Sequence, residues 1–170
     1  ALLIAATVSG TAAAHGPQRP KVKVLATGLD NPRGIDIGPF GKPVVAEAAT
    51  GEVLVIGRHG AKTLIEGLPT VTSPEGEATG PVNVAVGAWG KVYTLVGEGP
   101  RDVDARFGTM QKGSHGTFAD IAAYQETDPD PADTEGEPGE SNPYGIAALS
   151  HGRFLVADAA NNDILLVGRN

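Results

Sequence analysis

The sequence contains no cysteine, and it has only one tryptophan and one methionine among its 170 residues. Without cysteine the chain can form no disulfide, thiol nucleophile or thiolate metal site. Basic residues are also few: 13 Lys and Arg, scattered along the chain, face 20 Asp and Glu and leave a net charge of -7. Because a phosphate backbone is bound by a clustered basic stripe, the composition predicts no nucleic-acid partner.

Long hydrophobic runs are absent as well, and we therefore predict no membrane span. Residues 1–14 form a short apolar segment that ends in Ala12-Ala13-Ala14, directly before the polar His15. This pattern resembles the hydrophobic region and A-x-A cleavage site of a bacterial secretory signal peptide, and a buried N-terminal strand is the alternative. We expect residues 1–14 to be the remnant of a signal peptide and the protein to be secreted.

Glycine and proline are abundant, with 24 and 13 copies. Both residues favour turns, so the composition predicts short strands joined by tight turns and not long helices. A chain of this length buries enough apolar surface for one ordinary domain. We therefore expect a single all-β domain over residues 15–170.

The chain also repeats itself. Residues 31–58 align without a gap to residues 142–169, and 12 of the 28 positions are identical. A weaker third copy lies at 80–97, where VGAWGK follows the pattern of IGPFGK at 37–42. The copies are spaced by 49 and then 62 residues, and repeats of such length are typical of solenoids and propellers.

Each copy predicts an antiparallel meander. In the first copy, apolar strands at Ile35–Gly38, Val44–Ala48 and Val53–Ile56 are separated by turns at Pro39–Gly41 and Thr50–Gly51. Runs of alternating or continuous apolar residues between turn signals are typical of hairpin-connected strands.

A fourth strand is indicated by two related segments, KVLATGL at 23–29 and KTLIEGL at 62–68. Four short strands in every repeat of about 40 to 60 residues are typical of a β-propeller blade. The chain encodes only about three blades, fewer than a closed ring needs, so we expect an incomplete ring of four-stranded antiparallel blades. Its open edges predict edge-to-edge pairing with a second copy as a homodimer.

The phrase NPxG opens the first and third copies. We expect Pro32 to hold Asn31 in an extended conformation. Gly34 and Gly145 are expected to allow tight turning and close approach of the chain at the crowded axis. The repeated NPxG motif is therefore predicted to have a structural role and not a catalytic or binding one.

Residues 98–141 interrupt the repeat. FADIAAYQ at 118–125 predicts the end of a strand and a short helical turn, whereas 98–117 replaces a regular strand pair and predicts an imperfect second blade. The stretch 126–140 holds seven acidic residues and three prolines. Such a composition cannot supply core, so we expect a solvated, mobile loop there.

Several phrases carry a family resemblance: GLDNPRGI and VVAEA in the first copy, ADIAAYQ, and SNPYGIAAL with VADAANNDILLV in the third. Together they closely resemble the ScyD/ScyE family of exported bacterial proteins, which is related to the NHL-type β-propellers. The resemblance covers residues 22–170, and the chain departs from the family pattern at 98–117. It implies a propeller-like fold and export but no defined reaction, since the family is named after a biosynthetic operon for a sunscreen pigment.

Glu47 and Asp158 occupy equivalent positions at the ends of second strands, where the middle copy has Val96. Carboxylates repeated around a propeller axis are suitable ligands for a hard cation such as Ca²⁺. The alternative is that each carboxylate accepts hydrogen bonds from the adjacent turn. No other cofactor is predicted.

The residues just ahead of the first strands are Arg33, Asn83 and Tyr144. A gluconolactonase-like propeller would place Glu, Asn and Asp there around one divalent ion, and only Asn83 fits that chemistry. Arg33 and Tyr144 predict instead an axial mouth that binds an anionic or aromatic ligand by charge and stacking. Ordinary packing of long side chains around the channel is the alternative.

The sequence thus predicts an exported propeller that acts as a binding or scaffold protein for a small molecule or a protein partner. It contains no identifiable catalytic residue. The alternative function is that of a propeller enzyme, either a metal-dependent lactone hydrolase or a quinone-dependent sugar dehydrogenase. In that case Glu47, Asn83 and Asp158 would be the residues to test.

Overall fold

The computed structural model describes residues 20–113, 116–128, 136 and 139–168. The expected signal-peptide remnant at 1–14 lies outside these residues, and so does most of the acidic stretch 126–140. Strands form most of the regular structure. Within the described ranges there is one α-helix, and no helix is long and apolar enough to cross a bilayer.

The first sheet is a four-stranded antiparallel meander. Its strands are β1 (Pro32–Ile37), β2 (Pro43–Glu47), β3 (Glu52–Gly57) and β4 (Gly60–Ile65), paired in that order. The central strand β2 is buried along almost its whole length, and its β-branched Val44 and Val45 favour this environment. The predicted meander of the first copy is therefore confirmed, with strand bounds that differ by up to three residues.

The second sheet repeats this order. A short hairpin, β5 (Val71–Thr72) and β6 (Ala78–Thr79), leads into it, and its strands are β7 (Pro81–Val86), β8 (Val92–Val96), β9 (Thr109–Lys112) and β10 (Thr117–Asp120). Helix α1 (Ile121–Gln125) follows at once, so the expected strand end and helical turn are confirmed. Its N-cap is Asp120, whose carboxylate accepts a hydrogen bond from the Ala123 N–H at 3.1 Å.

The second blade is a four-stranded sheet, so the expected loss of a strand pair at 98–117 is wrong. Strands β9 and β10 supply the pair, with a register shift between Thr117 and Ala119, and the extra residues form a loop at 97–108. This loop delivers Phe107, which is 1% exposed, into a cluster with Val44, Val53 and Val84 between the first two sheets. Truncation of such a ring costs about 3–5 kcal/mol, so the interruption strengthens the core.

The third sheet has three strands among the described residues: β11 (Pro143–Ala148), β12 (Phe154–Asp158) and β13 (Asp163–Val167). Strand β7 lies between β1 and β11 and contacts both, so the first strands of the three sheets are neighbours. The three sheets of the described residues form an open arc that does not close into a ring. The fold is therefore all-β and propeller-like, an incomplete ring of antiparallel blades as the sequence predicts, with four strands in each of the first two sheets and three described strands in the third.

Three aromatic rings join the second and third sheets. Tyr93, Phe118 and Phe154 lie with ring centroids 4.4 to 5.8 Å apart, in tilted and edge-to-face arrangements. Each such pair contributes roughly 0.5–1.5 kcal/mol beyond the burial of its area. His151 and Gly152, in the turn before β12, line a small cavity together with Tyr93 and Phe118.

The two ends of the strands differ. Strands β1, β7 and β11 begin at one end, which we call the mouth end. At the opposite end each runs into one turn of 3-10 helix, at Pro39–Gly41, Ala88–Gly90 and Ser150–Gly152. We call this the turn end.

The N-terminal segment does not form the strand expected at 23–29. Residues 20–29 have no regular structure and pair with no described strand. Ala26 and Leu29 instead pack on Leu54 and Ile56. Apolar contact alone does not satisfy the backbone N–H and C=O groups that a strand must pair with a neighbour.

The conformation expected for Asn31 is also wrong. Its φ is 54°, in the left-handed region that Asn tolerates, although Pro32 favours an extended predecessor. Two hydrogen bonds hold this turn: Asp30 N–H donates to Glu47 Oε1 at 2.8 Å, and Ala48 N–H donates to the Asn31 carbonyl at 3.1 Å. These contacts override the local preference.

The turn before β13 contains a residue in the left-handed region. Asn162 has φ 56°, and Gly51 at the equivalent position of the first copy has φ 70°. A Cβ on Gly51 would lie 2.3 Å from the Leu68 carbonyl oxygen, so only glycine fits that copy.

Candidate functional site

A cavity of about 310 Å³ opens at the mouth end. Its polar lining consists of Arg33, Glu77, Thr79, Glu98, Asn142 and Tyr144, contributed by the first strands, by β6 and by the loops around them. The volume lies at the lower end of the range for small-molecule sites, so it suits a ligand of sugar or aromatic-acid size.

Arg33 supplies the positive charge of the cavity. Its guanidinium donates to the Ala78 carbonyl at 3.2 Å and to the Tyr144 hydroxyl at 3.5 Å. The side chain is exposed, and no described carboxylate forms an ion pair with it. Sequence-predicted Arg33 and Tyr144 are thus brought together, with a guanidinium and a phenol ring side by side at the opening.

Asn83 does not line the cavity. The strand register aligns Asn83 with Gly34 and Gly145, so the position equivalent to Arg33 and Tyr144 is held by Val82, one residue earlier. The Asn83 side-chain amide donates to the Tyr144 carbonyl at 3.0 Å. Asn83 therefore positions the backbone behind the cavity. Its expected equivalence to Arg33 and Tyr144 is wrong by one residue.

Gly34 confirms the expected close approach at the axis. A Cβ at this position would lie 2.4 Å from both the Cα and the side-chain oxygen of Asn83. Neighbouring first strands therefore touch backbone to side chain where a larger residue would clash. Gly145 is less confined, since a Cβ there would be 3.2 Å from that of Ala157.

Glu77, Glu98 and Asn142 were not identified as cavity residues from the sequence. Glu77 precedes β6 and Glu98 follows β8, in loops that show no motif. The Asn142 side-chain oxygen accepts a hydrogen bond from the Glu98 N–H at 3.4 Å, which ties two of the loops together. Only the three-dimensional arrangement of the loops brings these residues to one opening.

Glu47 is 3% exposed and ends β2. Its carboxylate accepts a hydrogen bond from Asp30 N–H at 2.8 Å and one from the Thr50 hydroxyl at 3.0 Å. The hydrogen-bonding role expected as the alternative to metal binding describes these contacts. Glu47 holds the turns on either side of its strand.

Asp158 holds the equivalent place at the end of β12 and is 2% exposed. Its carboxylate accepts five donors: Ser141 Oγ at 2.6 Å, Asn142 N at 2.7 Å, Ala160 N at 3.2 Å, Asn161 N at 3.3 Å and Gln125 Nε2 at 3.5 Å. Because these donors occupy its lone pairs, a cation at Asp158 would have to displace them.

A second carboxylate lies beside Asp158. Gln125, fully buried, also donates to Asp163 Oδ2 at 3.0 Å. Gln125 Oε1 and Asp163 Oδ1 are buried without a hydrogen-bond partner among the described residues. The described part of the chain nevertheless contains no group of three or more His, Cys, Asp or Glu side chains arranged to hold a metal ion.

Two hydrogen-bonded pairs near the mouth end have shifted pKa values. The Arg106 guanidinium donates to Asp104 at 2.7 to 3.3 Å and holds the pKa of Asp104 below its ordinary value of 3.8. The same hydrogen bonds raise the pKa of Arg106. Tyr124 donates to Asp128 Oδ2 at 2.8 Å, and this raises the pKa of the Tyr124 phenol.

No protein-family profile matches the chain, and no curated protein matches its sequence. Among solved structures, a similar chain is a proposed oxidoreductase (glucose dehydrogenase) from Thermus thermophilus. The two are 15% identical, with a TM-score of 0.36 over 86% of this chain, which spans 64% of the length of that protein. The assignment of the fold given above rests on the sheet topology itself.

Proposed function

We propose that this protein is an exported, propeller-like binding or scaffold protein of the ScyD/ScyE kind, which holds a small anionic or aromatic ligand at its mouth end. The observation that carries the proposal is the Arg33 guanidinium at the opening of the cavity, which has no ion-pair partner among the described residues and lies 3.5 Å from the Tyr144 hydroxyl. Export is supported by the A-x-A pattern that ends residues 1–14.

The cavity can bind a negative charge of a ligand at one position, beside Arg33. Arg33 can offer two parallel N–H groups to a carboxylate, and the Tyr144 ring can stack on a planar ligand. Glu77 and Glu98 line the same cavity and repel a second negative charge, while they accept hydrogen bonds from hydroxyl groups. The preferred ligand is therefore a monoanion with hydroxyl groups or an aromatic ring.

Calorimetric titration of the full chain with galacturonate and with 4-hydroxybenzoate tests this proposal, with glucose as the uncharged comparison. We expect saturable binding of at least one acid and none of glucose. Replacement of Arg33 by Gln should weaken binding about tenfold or more, since it removes a charged hydrogen-bond donor pair. Arg58→Gln, at the turn end, serves as the matched control. Failure of both acids to bind, or equal binding by the Arg33→Gln variant, contradicts the proposal.

The alternative function, a lactone hydrolase or quinone-dependent sugar dehydrogenase, would use Glu47, Asn83 and Asp158. These side chains belong to three different sheets, and each has its own hydrogen-bond partners. The geometry therefore gives this function less support than ligand binding. Assays of gluconolactone hydrolysis with Ca²⁺, and of glucose oxidation with pyrroloquinoline quinone, test it directly. Turnover that Asp158→Asn abolishes would establish the enzyme.

A further inference from the structure

The turn end carries one tripeptide pattern three times: a ring-bearing residue, a glycine and a basic residue. The copies are Phe40-Gly41-Lys42, Trp89-Gly90-Lys91 and His151-Gly152-Arg153. All three occupy the same place, the 3-10 turn that follows the first strand of a sheet. The repeat thus delivers a ring and a positive charge to every turn at this end.

The three ring side chains are not buried in the core of the protein, so packing does not account for their presence. Phe40 and Trp89 are each 95% exposed, and His151 is exposed as well. Their φ angles are 62°, 62° and 63°, a region in which a bulky residue is strained and glycine is not. Three rings therefore stand in solvent at positions where the backbone favours glycine, which indicates that the side chains serve contact with something outside the chain.

The basic residues gather at the same end. Strand register and turn position place six of the 13 Lys and Arg there: Lys42, Arg58, Lys62, Lys91, Lys112 and Arg153. None of the six forms an ion pair with a described carboxylate. This gathering was not expected from the sequence, in which the same residues are scattered.

Acidic residues are almost excluded from the turn end. Asp36 is the one described carboxylate there, and its oxygens accept hydrogen bonds from the N–H groups of Ile37 and Val86, both at 2.7 Å. The other described carboxylates belong to strand ends or loops attached to the mouth end. A protein of net charge -7 therefore presents a positive surface at one end.

The three turns form one surface. A Cβ on Gly90 would lie 2.8 Å from Pro39, so the first two turns touch. Lys91, Lys112 and His151 share a cavity of about 210 Å³, which joins the second turn to the third. We call the three turns and the six basic residues the aromatic-basic face.

We infer that the aromatic-basic face docks on the surface of an anionic lipid bilayer. Trp and Phe at exposed turns favour the membrane–water interface, and Lys or Arg beside them are attracted to anionic headgroups. The Phe40 and Trp89 rings project almost fully from their turns, which suits insertion between headgroups better than stacking on a flat polymer. This inference goes beyond the proposed function and concerns the opposite end of the molecule.

Trp89 is the only tryptophan of the chain, so its fluorescence reports on this face alone. The full chain is mixed with vesicles of equal parts phosphatidylglycerol and phosphatidylcholine, and separately with vesicles of phosphatidylcholine. We expect a blue shift of Trp89 emission and quenching by bromine-labelled acyl chains with the anionic vesicles only. Binding should fall as salt is raised, because the attraction is screened.

Sedimentation with vesicles measures the variants. Each of Lys42→Gln, Lys91→Gln and Arg153→Gln should weaken anionic-vesicle binding roughly fivefold, from about 1 kcal/mol per basic residue near the surface. Phe40→Gly should also weaken binding while it removes backbone strain, so loss of folding is not an explanation for its effect. Val103→Ala changes a 77% exposed apolar residue at the mouth end and serves as the control.

Three outcomes would overturn the inference. The first is unchanged Trp89 emission with both kinds of vesicle. The second is vesicle binding that the Phe40 and lysine variants leave intact. The third is binding to heparin or single-stranded DNA but not to vesicles, which would assign the face to a soluble anionic polymer.

Discussion

The Asn83 side-chain amide donates a hydrogen bond to the backbone carbonyl of Tyr144 at 3.0 Å, and so joins β7 to β11 directly behind the mouth-end cavity. The same Asn83 fills the space left open by Gly34 on the other neighbouring strand. One side chain thus contacts the first strands of all three sheets. The position of Tyr144 at the cavity depends on this contact.

Gly34→Ala should destabilise the protein by about 1–3 kcal/mol, because the new methyl group meets the Asn83 Cα, which is backbone and cannot rotate away. Urea unfolding followed by circular dichroism measures the change. Gly57→Ala is the matched control, since a Cβ there has only an ordinary contact at 3.6 Å. Equal stability of the two variants would show that the first strands are not in close contact.

Asp158→Ala should cost more stability than Glu47→Ala. Five donors lose their acceptor in the first variant and two in the second, and hydrogen bonds to a charged group contribute about 1.5–3 kcal/mol each. We expect a loss of at least about 3 kcal/mol for Asp158→Ala in chemical unfolding. The exposed Asp102→Ala should be close to neutral. A smaller loss at Asp158 than at Glu47 would contradict the hydrogen-bonding role described here.

Acid should remove the stability that Asp104 contributes. The pKa of Asp104 is lowered in the folded protein by its hydrogen bond from Arg106, so the contribution is present above the unfolded pKa near 3.8 and is lost as pH falls through the folded value. Asp104→Asn should therefore lower the midpoint of thermal unfolding at neutral pH and converge with the wild type in acid. Because the pair is partly exposed, the difference should be small and weakened by salt.

The check on this pH dependence is Asp102→Asn, a neighbouring exposed carboxylate in the same loop. Its unfolding curves should follow those of the wild type from neutral to acid pH. A constant gap between wild type and Asp104→Asn across this range would show that the effect does not arise from titration of Asp104.

Calcium should leave the unfolding midpoint unchanged relative to a chelator. The lone pairs of Glu47 and Asp158 already accept N–H and O–H donors, which a cation would have to displace. Differential scanning fluorimetry at matched ionic strength measures the midpoint. A saturable rise that Asp158→Asn abolishes would restore the calcium hypothesis. A rise lost only in Asp163→Asn would place a cation at the unpaired oxygens of Gln125 and Asp163.

The third sheet should drive self-association at high concentration. Its strand β13 exposes Ile164 and Leu166 at 66% and 63%, and no strand among the described residues pairs with its outer edge. We expect light scattering to show a mass that rises with concentration, and the double variant Ile164→Lys, Leu166→Lys to remain monomeric. Leu25→Lys changes an equally exposed leucine in the N-terminal segment and serves as the control. A monomeric mass for the wild type would contradict the proposed edge-to-edge homodimer.

Local patterns predicted most of the fold. Short apolar runs, separated by the turns at Pro39–Gly41 and Thr50–Gly51, identified the meander. This works because strands and turns favour different residue types. Gly34 identified a close approach for the same reason, since only a missing Cβ permits one. Structure that depends on a residue and its three or four nearest neighbours in the chain could therefore be predicted from the sequence.

Long-range contacts account for what the sequence did not predict. Asn31 is held in a left-handed conformation by groups that include Glu47, 16 residues away. Phe107 enters the core from a loop without any periodicity, and the cavity residues Glu77 and Glu98 come from separate loops. Only the assembled fold brings such residues together, so a linear pattern carries no signal for them.

The opposite charges at the two ends make the molecule a permanent electric dipole aligned with its strands. Near an anionic surface such a dipole experiences a torque before contact, within roughly one Debye length, about 8 Å at physiological salt. The turn end would rotate toward the surface and the cavity at Arg33 would face outward. Molecules arriving independently would therefore form a layer of uniform polarity, with every mouth open to the surrounding medium.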